Sequence, residues 1–233
     1  MDEERIDEVI GRKHRLPVKR TDRLALSVSP RPLQHVFSFC PLRLLPYPHI
    51  PYPSKVYTIT GGIFVHFGHH VRGHEGPCIS LHGHTWKLEV SLAAETLDKQ
   101  GFVLDFDVLH DRVLAPCHQL LDHALAVGAT TWEETHAELA VLGEKLVASR
   151  RETLGHLGRP QAALEDELCG ARNERPGGIK VAVFPFTPTS ERLAQWLYDV
   201  SEARVADERV RVAYTRVFET MHPSELVAEY RRP

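Results

Sequence analysis

The chain has 233 residues, a formal net charge of −3, 42% hydrophobic and 25% charged residues. That length buries a sizeable core without disulfides, and the mild acidity supplies no basic field, which argues against nucleic acid or an anionic membrane as partner. No run approaches the roughly 18 apolar residues of a membrane span, the charged start MDEERIDEVIGRKHR lacks a signal's apolar core, and cysteines at 40, 78, 117 and 169 have no paired spacing, so a reduced, cytoplasmic setting is expected.

Residues 1–53 end in CPLRLLPYPHIPYP, where five prolines fall within thirteen residues. Such density precludes a regular helix or a central strand, so a poorly ordered or loosely docked N-terminal extension is expected. Residues 54–233 read as one domain. VYTITGGIFVHF is β-rich, and HTWKLEVSL alternates Trp86, Leu88, Val90 and Leu92 against polar neighbours, as a half-buried strand does. GHHVRGHEGPCISLHGH then connects an antiparallel pair. GFVLDF predicts a short strand ending at Asp105, with Asp105 or Asp107 placed to cap a helix through VLHDRVLAPCHQLL. After Leu121-Asp122-His123 an insertion is expected over about 124–179. Its first part carries Trp132, Leu139, Leu142, Leu146 and Leu154 near helical spacing, with Thr130 and Glu133 spaced as a capping box. Its second part is polar and marked by Gly and Pro, as loop with a short helix. A strand IKVAVFPF, a helix beginning at Pro188 and Thr189, a strand VRVAYTRVFET and a short LVAEYRR segment close the chain. This segregated order predicts an α+β fold with an antiparallel sheet.

The chemistry concentrates in CISLHGH. Residues i and i+2 of a strand share a face, so His82 and His84 project together with Gly83 leaving space between them. Two adjacent imidazoles chelate zinc at about 2.0–2.1 Å, and a catalytic site needs a third protein ligand and an open position. His66, His69 and His70 at the end of the preceding strand offer that ligand. The same residues fit a solvated histidine-rich loop, and Cys78 fits a small buried thiol; spacing alone leaves both open. Beside a cation or an imidazolium, Cys78 would ionise more readily and supply thiolate. Asp122-His123 fits either a carboxylate orienting an imidazole or a polar helix end, and Glu219 a strand-end charge.

Together these pieces resemble the 6-pyruvoyl-tetrahydropterin synthase / 6-carboxytetrahydropterin synthase family. HFGHHVRGHEGPC is similar to the family's first ligand segment, CISLHGHTW to its second and GFVLDFDVL to its Asp-Phe turn. LLDH, PTSERLA and VFET resemble three further elements, in order. The resemblance implies the tunnelling fold: a four-stranded antiparallel sheet with two helices on one face, assembled through trimeric barrels into a homohexamer with active sites between subunits. It implies Zn2+ held by His82, His84 and His69, with His70 as the alternative to His69 and His66 a weaker one. It further implies Cys78 as catalytic thiol, Asp122 and His123 as a proton-relay pair, and Glu219 as the carboxylate gripping the pterin.

A cysteine separated from His-Gly-His by three residues resembles the 6-carboxy-5,6,7,8-tetrahydropterin synthases of queuosine synthesis. The resemblance thus implies a zinc-dependent carbon–carbon lyase acting on 7,8-dihydroneopterin triphosphate, a small-molecule substrate, with release of acetaldehyde and triphosphate. Pyruvoyl-type synthesis, or a non-catalytic pterin- or metal-binding module, are the alternatives. Three departures stand out. VHFGH replaces the family's Phe-x-Ala-Ala-His, LDHALAVG lacks the asparagine usual after Leu-Asp-His, and 64 residues (124 to 187) separate His123 from Pro188.

Overall fold

The computed structural model describes residues 55–154, 162–220 and 224–233, all within one compact unit. The expected N-terminal extension, 1–53, lies outside the described residues. Two strands of 13 residues, β1 (Tyr57–His69) and β2 (His82–Ala94), form a long antiparallel hairpin in which Tyr57 faces Ala94 and His69 faces His82. Trp86, Leu88, Val90 and Leu92 of β2 are fully buried as expected, but their polar neighbours Glu89 and Ser91 are buried too, so from Leu88 the strand is covered on both faces rather than half-buried. Phe67 stacks on Trp86 at 4.5 Å between ring centroids, and the indole N–H donates to the Phe67 carbonyl at 3.2 Å. The indole thus buries its area without orphaning its donor.

GFVLDF forms no strand. Asp98 Oδ1 accepts from the backbone N–H groups of Gln100 and Phe102, 2.9 Å each, so a side chain takes the place of a ladder partner. Asp105 caps α1 (Phe106–Leu109), accepting from the Asp107 N–H at 2.9 Å. A π turn (His110–Leu114) leads into α2 (Ala115–Leu121). Pro116 cannot donate to the carbonyl four residues back, and the Arg112 carbonyl instead accepts from the Arg204 guanidinium at 3.1 Å.

After His123 the backbone turns into the sheet again. β3 (Leu125–Gly128) pairs in parallel with both β1 and β5 (Val181–Phe184), between which lie α3 (Ala129–Leu154) and β4 (Arg172–Glu174). β5 is buried at all four positions, as a strand covered on both faces must be. α3 starts at Ala129, so Thr130 lies inside the helix rather than at its cap. Trp132 and Leu139 pack on Val127, Val181 and Val183, while Leu142 and Leu146 are exposed. Gly143 meets the turn Pro176–Gly178 so closely that a Cβ there would lie 2.4 Å from the Pro176 carbonyl oxygen. Thr189 caps α4 (Ser190–Val205), accepting from the Arg192 N–H at 3.4 Å.

β6 (Arg211–Thr220) and β7 (Leu226–Tyr230) complete a seven-stranded sheet of order β4-β5-β3-β1-β2-β6-β7. The expected four-stranded sheet is therefore corrected. β1, β2, β6 and β7 are antiparallel neighbours, but β3, β5 and β4 widen the sheet and bring two parallel pairings. The larger core packs the sheet against α2 and α4, with Trp86, Trp196, Phe184 and Leu197 among its largest buried side chains, and a smaller cluster lies under α3. Among the described residues no helix is long and apolar enough to cross a membrane.

Candidate metal centre

The hairpin register sets the site. His69 and His82 face one another across β1 and β2, and His84 follows His82 on the same face. Phe67 and Trp86 form the apolar floor, with the Trp86 ring 5.0 Å from His69 and 5.4 Å from His84. Glu219 enters from β6, whose strand neighbours β2. The ligand atoms of His69, His82, His84 and Glu219 all lie within 4.8 Å of one another, and the group could hold a metal ion.

The hydrogen bonds fix which nitrogen each ring offers. His69 Nδ1 lies 3.1 Å from the Pro188 carbonyl and His82 Nδ1 2.8 Å from the Ser80 carbonyl. A carbonyl only accepts, so both Nδ1 atoms carry the proton and both Nε2 atoms present lone pairs. Those two Nε2 atoms are 3.0 Å apart. Glu219 Oε1 lies 3.5 Å from His69 Nε2 and 3.7 Å from His84 Nε2. The other oxygen, Oε2, accepts from the Ser190 hydroxyl at 2.8 Å. The Nε2 of His84 is buried with no hydrogen-bond partner, and a buried polar atom without a partner is costly. Converging lone pairs, one carboxylate and an orphaned nitrogen fit a small divalent cation.

Electrostatics agree. Burial pushes the His69 imidazole below its ordinary value, and the neighbouring His82 and His84 rings add to that against the pull of the Pro188 bond and Glu219. Burial likewise lowers His84, against Glu219. Neutral imidazole is the form that binds metal.

The other sequence candidates fall elsewhere. His70 Nδ1 donates to the Ile79 carbonyl at 2.8 Å, and His66 Nδ1 lies 3.1 Å from Thr85 Oγ1; His69 alone of the three joins the cluster. Cys78 sits half-buried on the turn Pro77–Ile79, and its carbonyl accepts from the Val71 N–H at 2.9 Å. Asp122 and His123 pair at the end of α2, with His123 Nδ1 2.9 Å from Asp122 Oδ2. His123 has φ +57 and its N–H donates to the His66 carbonyl at 2.7 Å; the two rings meet edge-on at 6.4 Å. Burial pulls the Asp122 carboxyl up, but the His123 hydrogen bond, the His66 N–H and the nearby imidazoles outweigh it and hold the carboxyl below its ordinary value. Side chains alternate along a strand, so His66 and the pair beside it lie on the opposite side of β1 from His69. An open depression bordered by His66, Thr85 and His123 also touches Phe67 and His84.

Two features lie beyond what the sequence indicates. Glu219, expected at the pterin, has an oxygen among the ligand atoms. Lys180 is almost fully buried beside the Asp122–His123 turn; its one signal in the sequence is a lone cation inside the apolar run IKVAVFPF.

Known proteins are similar to this one in sequence and in fold. A 6-carboxy-5,6,7,8-tetrahydropterin synthase of Rickettsia felis is 40% identical over 58 residues, which span 25% of this chain and 42% of that protein, less than half its length. Its counterpart in Haemophilus influenzae is 26% identical over 155 residues, 65% of this chain and 84% of that protein. The crystal structure of an uncharacterized protein from Wolinella succinogenes superimposes with a TM-score of 0.52 at 22% identity, covering 77% of this chain and 100% of that one, and shares the fold. The family model described as 6-pyruvoyl tetrahydropterin synthase matches residues 59–233. That match takes in the hairpin, the ligand cluster and the Asp122–His123 turn alike, and the protein belongs to the 6-pyruvoyl tetrahydropterin synthase family.

Proposed function

We propose that the protein is a zinc-dependent lyase converting 7,8-dihydroneopterin triphosphate to 6-carboxy-5,6,7,8-tetrahydropterin, with release of acetaldehyde and triphosphate. The observation that carries this reading is the convergence of His69, His82, His84 and Glu219 in a member of this family. Zinc suits the donor set: three imidazoles with a fourth, exchangeable position are a common catalytic arrangement, and tetrahedral bonds of about 2.0–2.1 Å separate donors by about 3.3 Å. The spacings of 3.0, 3.5 and 3.7 Å scatter around that value. Held by these residues, the ion would supply Lewis-acid polarisation to oxygens on the substrate's side chain.

The protein's own residues do the rest. Cys78, on the turn that leads into β2, serves as a thiolate base that removes a proton from a carbon of the substrate's side chain. His123 gives or takes the second proton at its Nε2, because its Nδ1 is committed to Asp122. Glu219 has two oxygens to divide: Oε1 faces the ligand cluster and Oε2 holds the Ser190 hydroxyl. In the substrate complex that carboxylate turns to the amino and imino groups of the pterin, which it can accept in bidentate fashion. The His123 ring meets His66, which points away from His69 on β1, and this reading includes an active site completed between copies of the protein, as in a homohexamer. The queuosine branch is supported by the short gap from Cys78 to His82 and by the names of the Rickettsia and Haemophilus relatives.

The test is removal and return of the metal. Chelation should abolish turnover of dihydroneopterin triphosphate, and about one equivalent of Zn2+ should restore it; undiminished turnover after complete removal would refute a metal-dependent lyase.

A further inference from the structure

We propose that Lys180 is a positioning residue for the Asp122–His123 pair, acting by clamping the end of α2 so that the turn carrying His123 stays closed. The inference rests on the proton-transfer role given to that pair above.

Lys180 is 6% exposed at the entrance to β5, flanked by apolar Ile179 and Val181. A buried ammonium is unfavourable unless its donors are used. Two of them are: Nζ donates to the Gln119 carbonyl at 2.6 Å and to the Asp122 carbonyl at 2.8 Å. These belong to the last turn of α2, where helix geometry leaves carbonyls without partners and a cation matches the dipole. The neighbouring Leu120 carbonyl accepts from the Asn173 amide at 2.8 Å. Both Lys180 and Asn173 come from the segment that separates the Leu-Asp-His element from α4. That segment therefore caps α2 as well as widening the sheet.

The clamp matters because of the residue it precedes. His123 adopts φ +57, a conformation a residue with a Cβ takes up only under constraint. In that conformation its backbone N–H reaches the His66 carbonyl and its ring reaches Asp122 Oδ2. Asp122 thus has its carbonyl held by Lys180 and its carboxylate held by His123 and by the His66 N–H at 3.4 Å. Releasing the carbonyl removes one of the ties on the peptide between Asp122 and His123, whose N–H stays on His66, and loosens the carboxylate's hold on the ring. The charged and titratable groups facing Lys180 are Asp122 and Arg175, and those facing Asp122 are His118 and His123.

The experiment compares Lys180→Met and Lys180→Arg, alone and in an Asp122→Asn background, for turnover of dihydroneopterin triphosphate, metal content and the 15N shifts of the His123 ring. Lys180→Met should keep its metal and a KM within about twofold while kcat falls about tenfold or more, the scale of a misaligned proton donor. Lys180→Arg should recover most of that loss, and Lys180→Met should cost nothing further once Asp122 is Asn. An equal loss in both backgrounds, or undiminished kcat, overturns the proposal. If Lys180→Met does not fold, Lys180→Gln, whose shorter side chain cannot reach both carbonyls, takes its place with the same expectation. Should the wild type turn over no dihydroneopterin triphosphate, the functional reading fails, and the 15N shifts judge Lys180 by themselves. The Nδ1-protonated pattern of His123 should persist in wild type and Lys180→Arg and vanish in Lys180→Met; identical spectra overturn the clamp.

Discussion

His69 Nε2 and His82 Nε2 lie 3.0 Å apart, and each ring has already spent its only hydrogen on a backbone carbonyl, of Pro188 and Ser80 respectively. Two lone pairs held this close repel unless a cation lies between them. The arrangement is prepared by the strand register on one side and by the start of α4 on the other. His84→Ala or His82→Ala should therefore lower metal content from about one equivalent per protomer to a small fraction, read by elemental analysis. The fold should survive, because neither side chain belongs to the buried core. Metal retained in full by both variants would mean that these rings are not ligands.

Cys78 stands outside that cluster. Cys78→Ala is expected to keep its zinc and lose turnover by about a hundredfold or more, as removal of a proton-transfer group does. Metal content and kcat measured on the same preparation check it. Loss of both together would instead assign the thiol to the metal.

Gly143 and Gly177 interlock α3 with the turn Pro176–Gly178. A Cβ on Gly143 would lie 2.4 Å from the Pro176 oxygen, and one on Gly177 2.1 Å from the Ala140 oxygen, where backbone cannot yield cheaply. Gly143→Val should destabilise the protein by about 1–3 kcal/mol, as overpacking does. For a protein of this size that corresponds to roughly 2–4 °C in Tm per kcal/mol. Calorimetry checks it, and metal content should stay unchanged because the ligands lie on other elements.

The buried Lys180 gives stability a definite pH dependence. Burial pulls its ammonium from 10.5 down to about 8, against the attraction of Asp122. Between those values the unfolded state binds the proton and the folded one does not, so raising the pH stabilises the fold and lowering it removes that contribution. Denaturant titrations should find wild type gaining on Lys180→Met as the pH rises from about 8 to 10.5. A flat difference would mean that Lys180 keeps its ordinary affinity for protons.

How far these features can be read from the sequence depends on how local their causes are. Trp86, Leu88, Val90 and Leu92 announce β2 because one face of a strand repeats every second residue, and Thr189 announces α4 because its cap is made three residues away. Distinguishing His69 from His66 and His70 needs the cross-strand partner, which only the register supplies. β3 and β4 hold four and three residues, too few for any period to appear. Their pairing with β1 and β5 is what turns an expected four-stranded sheet into seven strands. GFVLDF has strand composition, yet Asp98 captures its amides locally. Lys180 is visible only as a polar interruption, since its partners lie 61 and 58 residues earlier.

The most direct measurement is the mass of the pterin formed when the zinc-loaded protein is incubated with 7,8-dihydroneopterin triphosphate. Carboxy-, pyruvoyl- and hydroxymethyl-pterins differ in mass, so a single spectrum separates the possible reactions. The expected product is 6-carboxy-5,6,7,8-tetrahydropterin, formed together with acetaldehyde and triphosphate. A pyruvoyl product, or substrate recovered intact from a metal-loaded protein, would contradict the proposed lyase.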